Sequence, residues 1–71
     1  MSKYDVVTII EKRDGISRTE ALEAVEDTIN MIRDVLRDED SIYIAYEEIT
    51  EILREELGLE PDYLEDLLDY N

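Results

Sequence analysis

Glu47, Glu48, Glu51, Glu55 and Glu56 place five carboxylates within ten residues, and Glu60, Asp62, Glu65, Asp66 and Asp69 follow at similar density. Carboxylates so arranged can coordinate a cation, work as an acid–base pair, or meet the ammonium and guanidinium groups of a partner. Coordination is poorly served. Asp38 and Asp40 could open a calcium loop, but Ile42 would stand at its fifth position, Tyr43 at the sixth where Gly is needed, and Ile49 at the twelfth where a bidentate Glu belongs. Glu55 and Glu56 could hold Mg²⁺ only loosely, since nothing enforces octahedral geometry. A two-carboxylate hydrolase needs a cleft that drives two pKa values apart, and 71 mostly helical residues leave little room for one. The chain has no His and no Cys, which removes the commonest general base, the thiol nucleophile and the thiolate metal site. No enzyme, no catalytic residue, no metal and no cofactor is expected. Recognition of a cationic surface is the chemistry that remains.

The charge distribution favours that chemistry. Twenty-one Asp and Glu stand against seven Lys and Arg, for a net charge of −14. Residues 1–37 carry a net of only −2, whereas residues 38–71 carry −12 with Arg54 as their one base. Direct binding to a phosphate backbone is excluded by sign, and adhesion to an anionic membrane is disfavoured for the same reason. Like charges four apart, such as Glu47 with Glu51 and Glu51 with Glu55, repel one another on a helix. A sequence selected for stability alone would relieve them with Lys or Arg. An acidic helix face is often merely solvated, and that bland reading stands beside the functional one. With neither a signal-peptide core nor a long apolar run, the expectation is a soluble cytoplasmic protein.

These side chains need positioning elements. At 8.4 kDa the chain suits one domain over residues 1–71, and a chain this small gains from idealised helices or a second copy. Ser2 and Asp5 form a capping-box-like start, Val6, Ile9 and Ile10 give an apolar face, and Asp14-Gly15 ends a first helix near Arg13. Ser17-Arg18-Thr19-Glu20 is a full capping box, with Ile16 placed to staple Ala21. A second helix then carries Ala21, Ala24, Val25, Thr28, Ile29, Ile32, Val35 and Leu36 at helical spacing, widened by Leu22 and Met31. Its breadth exceeds what one short helix covers, so Ala21, Val25, Ile29, Ile32 and Leu36 are the expected interface of a homodimer. Ile42, Tyr43, Ile44 and Tyr46 suit either a short strand or a helix. From Ala45 the spacing of Ile49, Ile52, Leu53 and Leu57 predicts a third helix, stopped by Gly58. Pro61 opens a fourth, with Tyr63, Leu64, Leu67 and Leu68 buried. The tyrosines are expected at core edges, with Tyr43, Tyr46 and Tyr70 the ones open to an interface role.

Met1, Lys3, Val6, Val7 and Ile10, then Gly15-Ile16-Ser17-Arg18, then Ala21, Ala24-Val25, Ile29, Ile32 and Leu36 run in one register over the first 40 residues. That run resembles the N-terminal helical hairpin of the bacterial nucleoid proteins HU and IHF. The resemblance implies an interlocking helical homodimer; together with the helices read above, the expected fold is all-α with about four helices, an HU-like hairpin over 1–40 and two acidic helices over 41–71. It does not carry DNA binding across. The family's β-saddle and basic arms have no counterpart here, and residues 45–71 reverse their sign. In size, acidity and lack of Cys and His, the whole chain is similar to small phage-encoded DNA mimics, inhibitors of HU among them.

The charge spacing suits a mimic. Duplex DNA carries one charge per about 3.4 Å along each strand, and five glutamates over ten residues at a rise of ~1.5 Å give one per roughly 3 Å. Glu48, Glu51 and Glu55 are expected on one face, opposite Ile49, Ile52 and Leu53. The expected function is occlusion of the DNA-binding surface of an HU-like protein in a bacterial host cytoplasm, through Glu47, Glu48, Glu51, Glu55, Glu56, Glu60, Asp62, Glu65, Asp66 and Asp69. Two alternatives are a subunit that poisons HU as an inactive heterodimer through its second helix, and an acidic scaffolding homodimer.

Overall fold

Ser2 starts the fold by satisfying helix donors that would otherwise be orphaned. In the computed structural model, which describes residues 2–68, its hydroxyl accepts from the Tyr4 amide at 3.3 Å and its own amide donates to Asp5 Oδ2 at 2.8 Å. Helix α1 (Lys3–Asp14) ends at Gly15, whose φ of 66° lets its amide donate back to the Glu11 carbonyl at 3.0 Å. The predicted capping box then opens α2 (Arg18–Asp38): Ser17 Oγ accepts from the Glu20 amide at 3.1 Å, and Glu20 Oε1 accepts from the Ser17 amide at 3.4 Å. Lys3 pairs with Glu26 and Arg18 with Glu11, so α1 and α2 form an antiparallel hairpin.

Ser41 caps α3 (Ile42–Ile52) by accepting from the Ile44 amide. The helix therefore begins three residues before Ala45, and the open choice between strand and helix at residues 42–46 falls to helix. The physical reason is pairing. A strand needs a neighbour to take its backbone groups, no strand exists among the described residues, and a capped helix satisfies the same groups within the segment. After a π turn (Leu53–Leu57) and Gly58, a 3₁₀ turn (Pro61–Tyr63) leads into the short helix α4 (Leu64–Leu68).

The π turn follows from the spacing of the apolar residues. Ala45, Ile49, Leu53 and Leu57 are buried, a strict period of four. In an α-helix each four-residue step overshoots a full turn by about 40°, so three steps would carry Leu57 about 120° off the core. Wider winding from Leu53 onward takes back part of that rotation and keeps Leu57 inside. The turn closes where the Gly58 amide, at φ 64°, donates to the Arg54 carbonyl and the Leu59 amide donates to the Leu53 carbonyl, both at 3.1 Å. Arg13 clamps this end from outside: Nη2 donates to the Leu57 carbonyl at 2.5 Å and Nη1 to the Gly58 carbonyl at 3.2 Å, while Asp14 holds the guanidinium at 2.9 and 3.1 Å. A cation belongs at the negative end of a helix.

Helix α2 is the spine. Its 21 residues run about 32 Å, most of the molecule's 36 Å length. Helix α1 packs on it, α3 and the π turn pack on it, and α4 packs against α1 and α2. The core joins Val6, Val7 and Ile10 to Val25, Ile29, Ile32, Ile49, Leu53, Leu57, Leu59, Leu67 and Leu68. Thr28 is the one buried polar side chain among the described residues, and its hydroxyl is satisfied by the Ala24 carbonyl at 2.8 Å. Val7 takes the buried place expected of Ile9, which is half-buried. No helix among the described residues is long and apolar enough to cross a membrane.

Leu53 has no exposed surface, so Leu53→Ala is expected to cost about 2–5 kcal/mol in urea denaturation. Gly15→Ala and Gly58→Ala both force a side chain into left-handed backbone, at about 1–2 kcal/mol. A Cβ on Gly15 meets open space, whereas one on Gly58 comes 3.4 Å from the Arg13 guanidinium. That is ordinary van der Waals contact with a flexible side chain, so the two losses are expected to be similar; a clearly larger loss at Gly58 in urea denaturation would show that the added methyl displaces the Arg13 clamp.

Candidate partner-binding surface

Burial of Ile49 and Leu53 against α2 turns the opposite side of α3 to solvent, and Glu47, Glu48, Glu51, Glu55 and Glu56 are all exposed there. The π turn keeps Glu55 in line with Glu51, one turn back, as wider winding sets residues four apart closer to eclipsed. Hydrogen bonding and like-charge repulsion from Glu51 raise the Glu55 carboxyl above its ordinary pKa, and Glu56 adds to the repulsion. Arg54 opposes this as the least of the causes. The ridge is thus a set of carboxylates that meet one another more than they meet cations.

The α1–α2 half treats its charges differently. Lys3 reaches Glu26 at 3.4 Å, Arg18 reaches Glu11 at 3.1 Å, and Arg37 reaches Asp34 at 3.1 Å and Asp38 at 3.0 Å. Beside their arginines, Asp14 and Asp38 hold carboxyls below the usual aspartate pKa. Paired acids on one side and mutually repelling acids on the other divide the surface.

Not every expected residue joins the ridge. Glu60, Asp62 and Glu65 are exposed and Asp66 is half-buried, but they lie beyond Gly58 on a segment packed against α1 and α2. Asp69 and Tyr70 lie outside the described residues. Glu48 instead shares an open groove of about 230 Å³ with Asp34, Asp38 and Glu39. Asp38 and Glu39 belong to the acidic run Asp38-Glu39-Asp40, which is visible in the sequence, and only the fold brings Asp34 and Glu48 to it.

The expected dimer face is used within the chain. Ala21, Val25, Ile29 and Ile32 are buried by the chain's own helices, and of the five only Leu36 is exposed. Four of the five expected interface positions are thus covered within one chain, and Met31 and Leu36 remain exposed on α2. Of the tyrosines, Tyr63 is half-buried at the core edge as expected, and Tyr4 departs from that expectation by being exposed on α1. Tyr43 and Tyr46, two of those open to an interface role, are exposed at the start of α3. A cleft of about 420 Å³ between α1, α2 and α4 is walled by Lys3, Glu26, Asp27 and Arg33, a mixture of signs that selects neither. No group of three or more Asp or Glu among the described residues is placed to hold a metal ion.

The raised Glu55 pKa has a defined pH signature. A raised folded pKa favours the protonated form, so the stability it contributes is present below the ordinary glutamate pKa and lost as pH rises through the raised value. Asp14 and Asp38 act in the opposite sense, contributing above the ordinary aspartate pKa and losing it as pH falls through their lowered values. Glu51→Gln is expected to lower the Glu55 pKa in a carboxyl-detected NMR titration and to flatten stability in the upper window only. An unmoved Glu55 would mean that the two carboxyls do not interact.

No protein-family model matches this chain, and no curated protein and no solved structure matches it either.

Proposed function

We propose that this chain is a DNA mimic of the phage-inhibitor type, which lays its carboxylate ridge into the cationic DNA-binding surface of an HU-like nucleoid protein. The observation that carries the reading is the exposed Glu47–Glu51–Glu55 line, in which Glu55 is repelled by Glu51, with Arg54 as the one base in residues 38–71. Repulsion that the free chain tolerates is relieved when lysines and arginines of a partner arrive, so binding gains what folding gave up. Five glutamates over roughly 15 Å of helix approach the phosphate spacing of one DNA strand. A homodimer would extend the mimicry by setting two ridges along opposite edges, as two phosphate strands run. Long-range attraction would speed encounter and make it salt-sensitive.

The heterodimer alternative needs the apolar face of α2, and Ala21, Val25, Ile29 and Ile32 are already covered. It would require the hairpin to part from α3 and α4. Nothing in the fold favours that step, and the mimic needs no such opening.

The test is a competition titration, with labelled duplex bound to HU and this chain added at about 50 and about 200 mM salt. Release of DNA at the lower salt that weakens sharply at the higher is expected. Combining Glu48→Gln, Glu51→Gln and Glu55→Gln should cost about tenfold or more in competition, with the helical circular dichroism unchanged. Slow, salt-independent release would favour the heterodimer. No release at either salt would remove HU as the partner and leave an acidic scaffolding role.

A further inference from the structure

We propose that the groove between Tyr43 and Tyr46 is a docking site for arginine side chains of a basic partner protein, which is therefore read by guanidinium chemistry and not by charge alone. This rests on the reading that the chain binds a cationic protein surface, and adds a second, aromatic determinant to it.

The start of α3 exposes more apolar surface than a short helix needs to. Tyr43 is 81% exposed, Ile42 66%, Tyr46 52% and Ile44 48%. Tyr43 and Tyr46 are three apart, so they neighbour each other on one face. With Ile42 and Glu47 they line an open groove of about 410 Å³. Two phenol rings and one carboxylate form a set that suits a guanidinium. Arginine is planar and weakly hydrated, stacks on aromatic faces, and keeps its fork free for a carboxylate. A lysine ammonium is strongly hydrated and gains less from leaving water for a ring face. The positive end of α3 would oppose a cation at this place, but Glu39 and Asp40 immediately precede it.

Charge and area both argue against a second copy as the occupant. Two chains of −14 each would meet with Glu47 at the contact. At about 200 Å² for a fully exposed tyrosine, the four residues offer roughly 500 Å² per copy, short of the ~800 Å² per partner of a standard interface. An anionic bilayer is excluded by the same acids. A basic protein meets both requirements, because its cations answer Glu47 while the ridge from Glu47 to Glu55 enlarges the contact.

The experiment titrates the full chain against two labelled peptides of equal length and charge, one with arginine and one with lysine as its only cation, read by fluorescence anisotropy. The arginine peptide is expected to bind about fivefold more tightly. Combining Tyr43→Ala with Tyr46→Ala should reduce it to the lysine level and leave the lysine peptide unchanged. Combining Tyr43→Phe with Tyr46→Phe, which keeps both rings, should restore the preference. All four substitutions fall on exposed positions, and circular dichroism verifies the fold. Equal binding of both peptides with steep salt dependence would overturn the arginine site and leave the carboxylate ridge standing. Failure of both peptides to bind would overturn the arginine site and the carboxylate ridge together. A dimer in sedimentation that the double alanine variant dissolves would assign the groove to a second copy and overturn the proposal.

Discussion

Everything in this fold depends on how the apolar face of α2 is covered. A chain of 71 residues has few side chains to spare for the purpose, and α2 runs nearly the full length of the molecule. Helix α1 covers part of that face, and the stripe Ala45–Ile49–Leu53–Leu57 covers another part. Because the stripe repeats every four residues, it stays on α2 only if the helix loosens. The π turn is the cost of keeping Leu57 inside. Leu59 then follows Gly58 back into the core, and α4 is delivered against α1 and α2.

The same constraint arranges the charges. With one side of α3 committed to α2, its glutamates have nowhere to go but outward, and the π turn sets Glu55 over Glu51. The base that could have helped at that end, Arg13, is held by Asp14 and by the Leu57 and Gly58 carbonyls. It steadies the backbone of the turn and leaves the carboxylates uncompensated. Stability and surface charge are thus managed by different residues. Lys3, Arg13, Arg18 and Arg37 tie up acids of the α1–α2 half, while the acids of α3 remain available to an outside cation. A surface whose carboxylates lack cations of their own follows from that division.

Helix boundaries marked by local chemistry were legible in the residues. The Ser17–Glu20 capping box, the Ser2–Asp5 pair and the two glycines at helix ends act through neighbours within a few positions, so spacing alone reveals them. The alternation of buried and acidic positions along 45–57 was legible for the same reason. The segment at 42–46 was not. Its β-branched and aromatic residues suit a strand as well as a helix, and the choice turns on whether a partner strand exists, which no local pattern records. The breadth of α2 is open in a related way. It reports how much apolar surface needs cover, and says nothing about whether a second copy or the remainder of the chain supplies it.

By itself, then, the sequence determined the helical hairpin, the capped ends of α1 and the start of α2, the one-sided charge and the outward placement of Glu48, Glu51 and Glu55, because each follows from contacts one or two turns apart. Tertiary structure alone decided that α2 is buried within one chain, that α3 loosens at Leu53, that Asp34, Asp38 and Glu39 gather around Glu48, and that Tyr43 and Tyr46 face solvent. Those outcomes are set by which distant surfaces meet. Such a meeting is a competition for apolar area across the whole chain, and spacing within any one segment cannot express it.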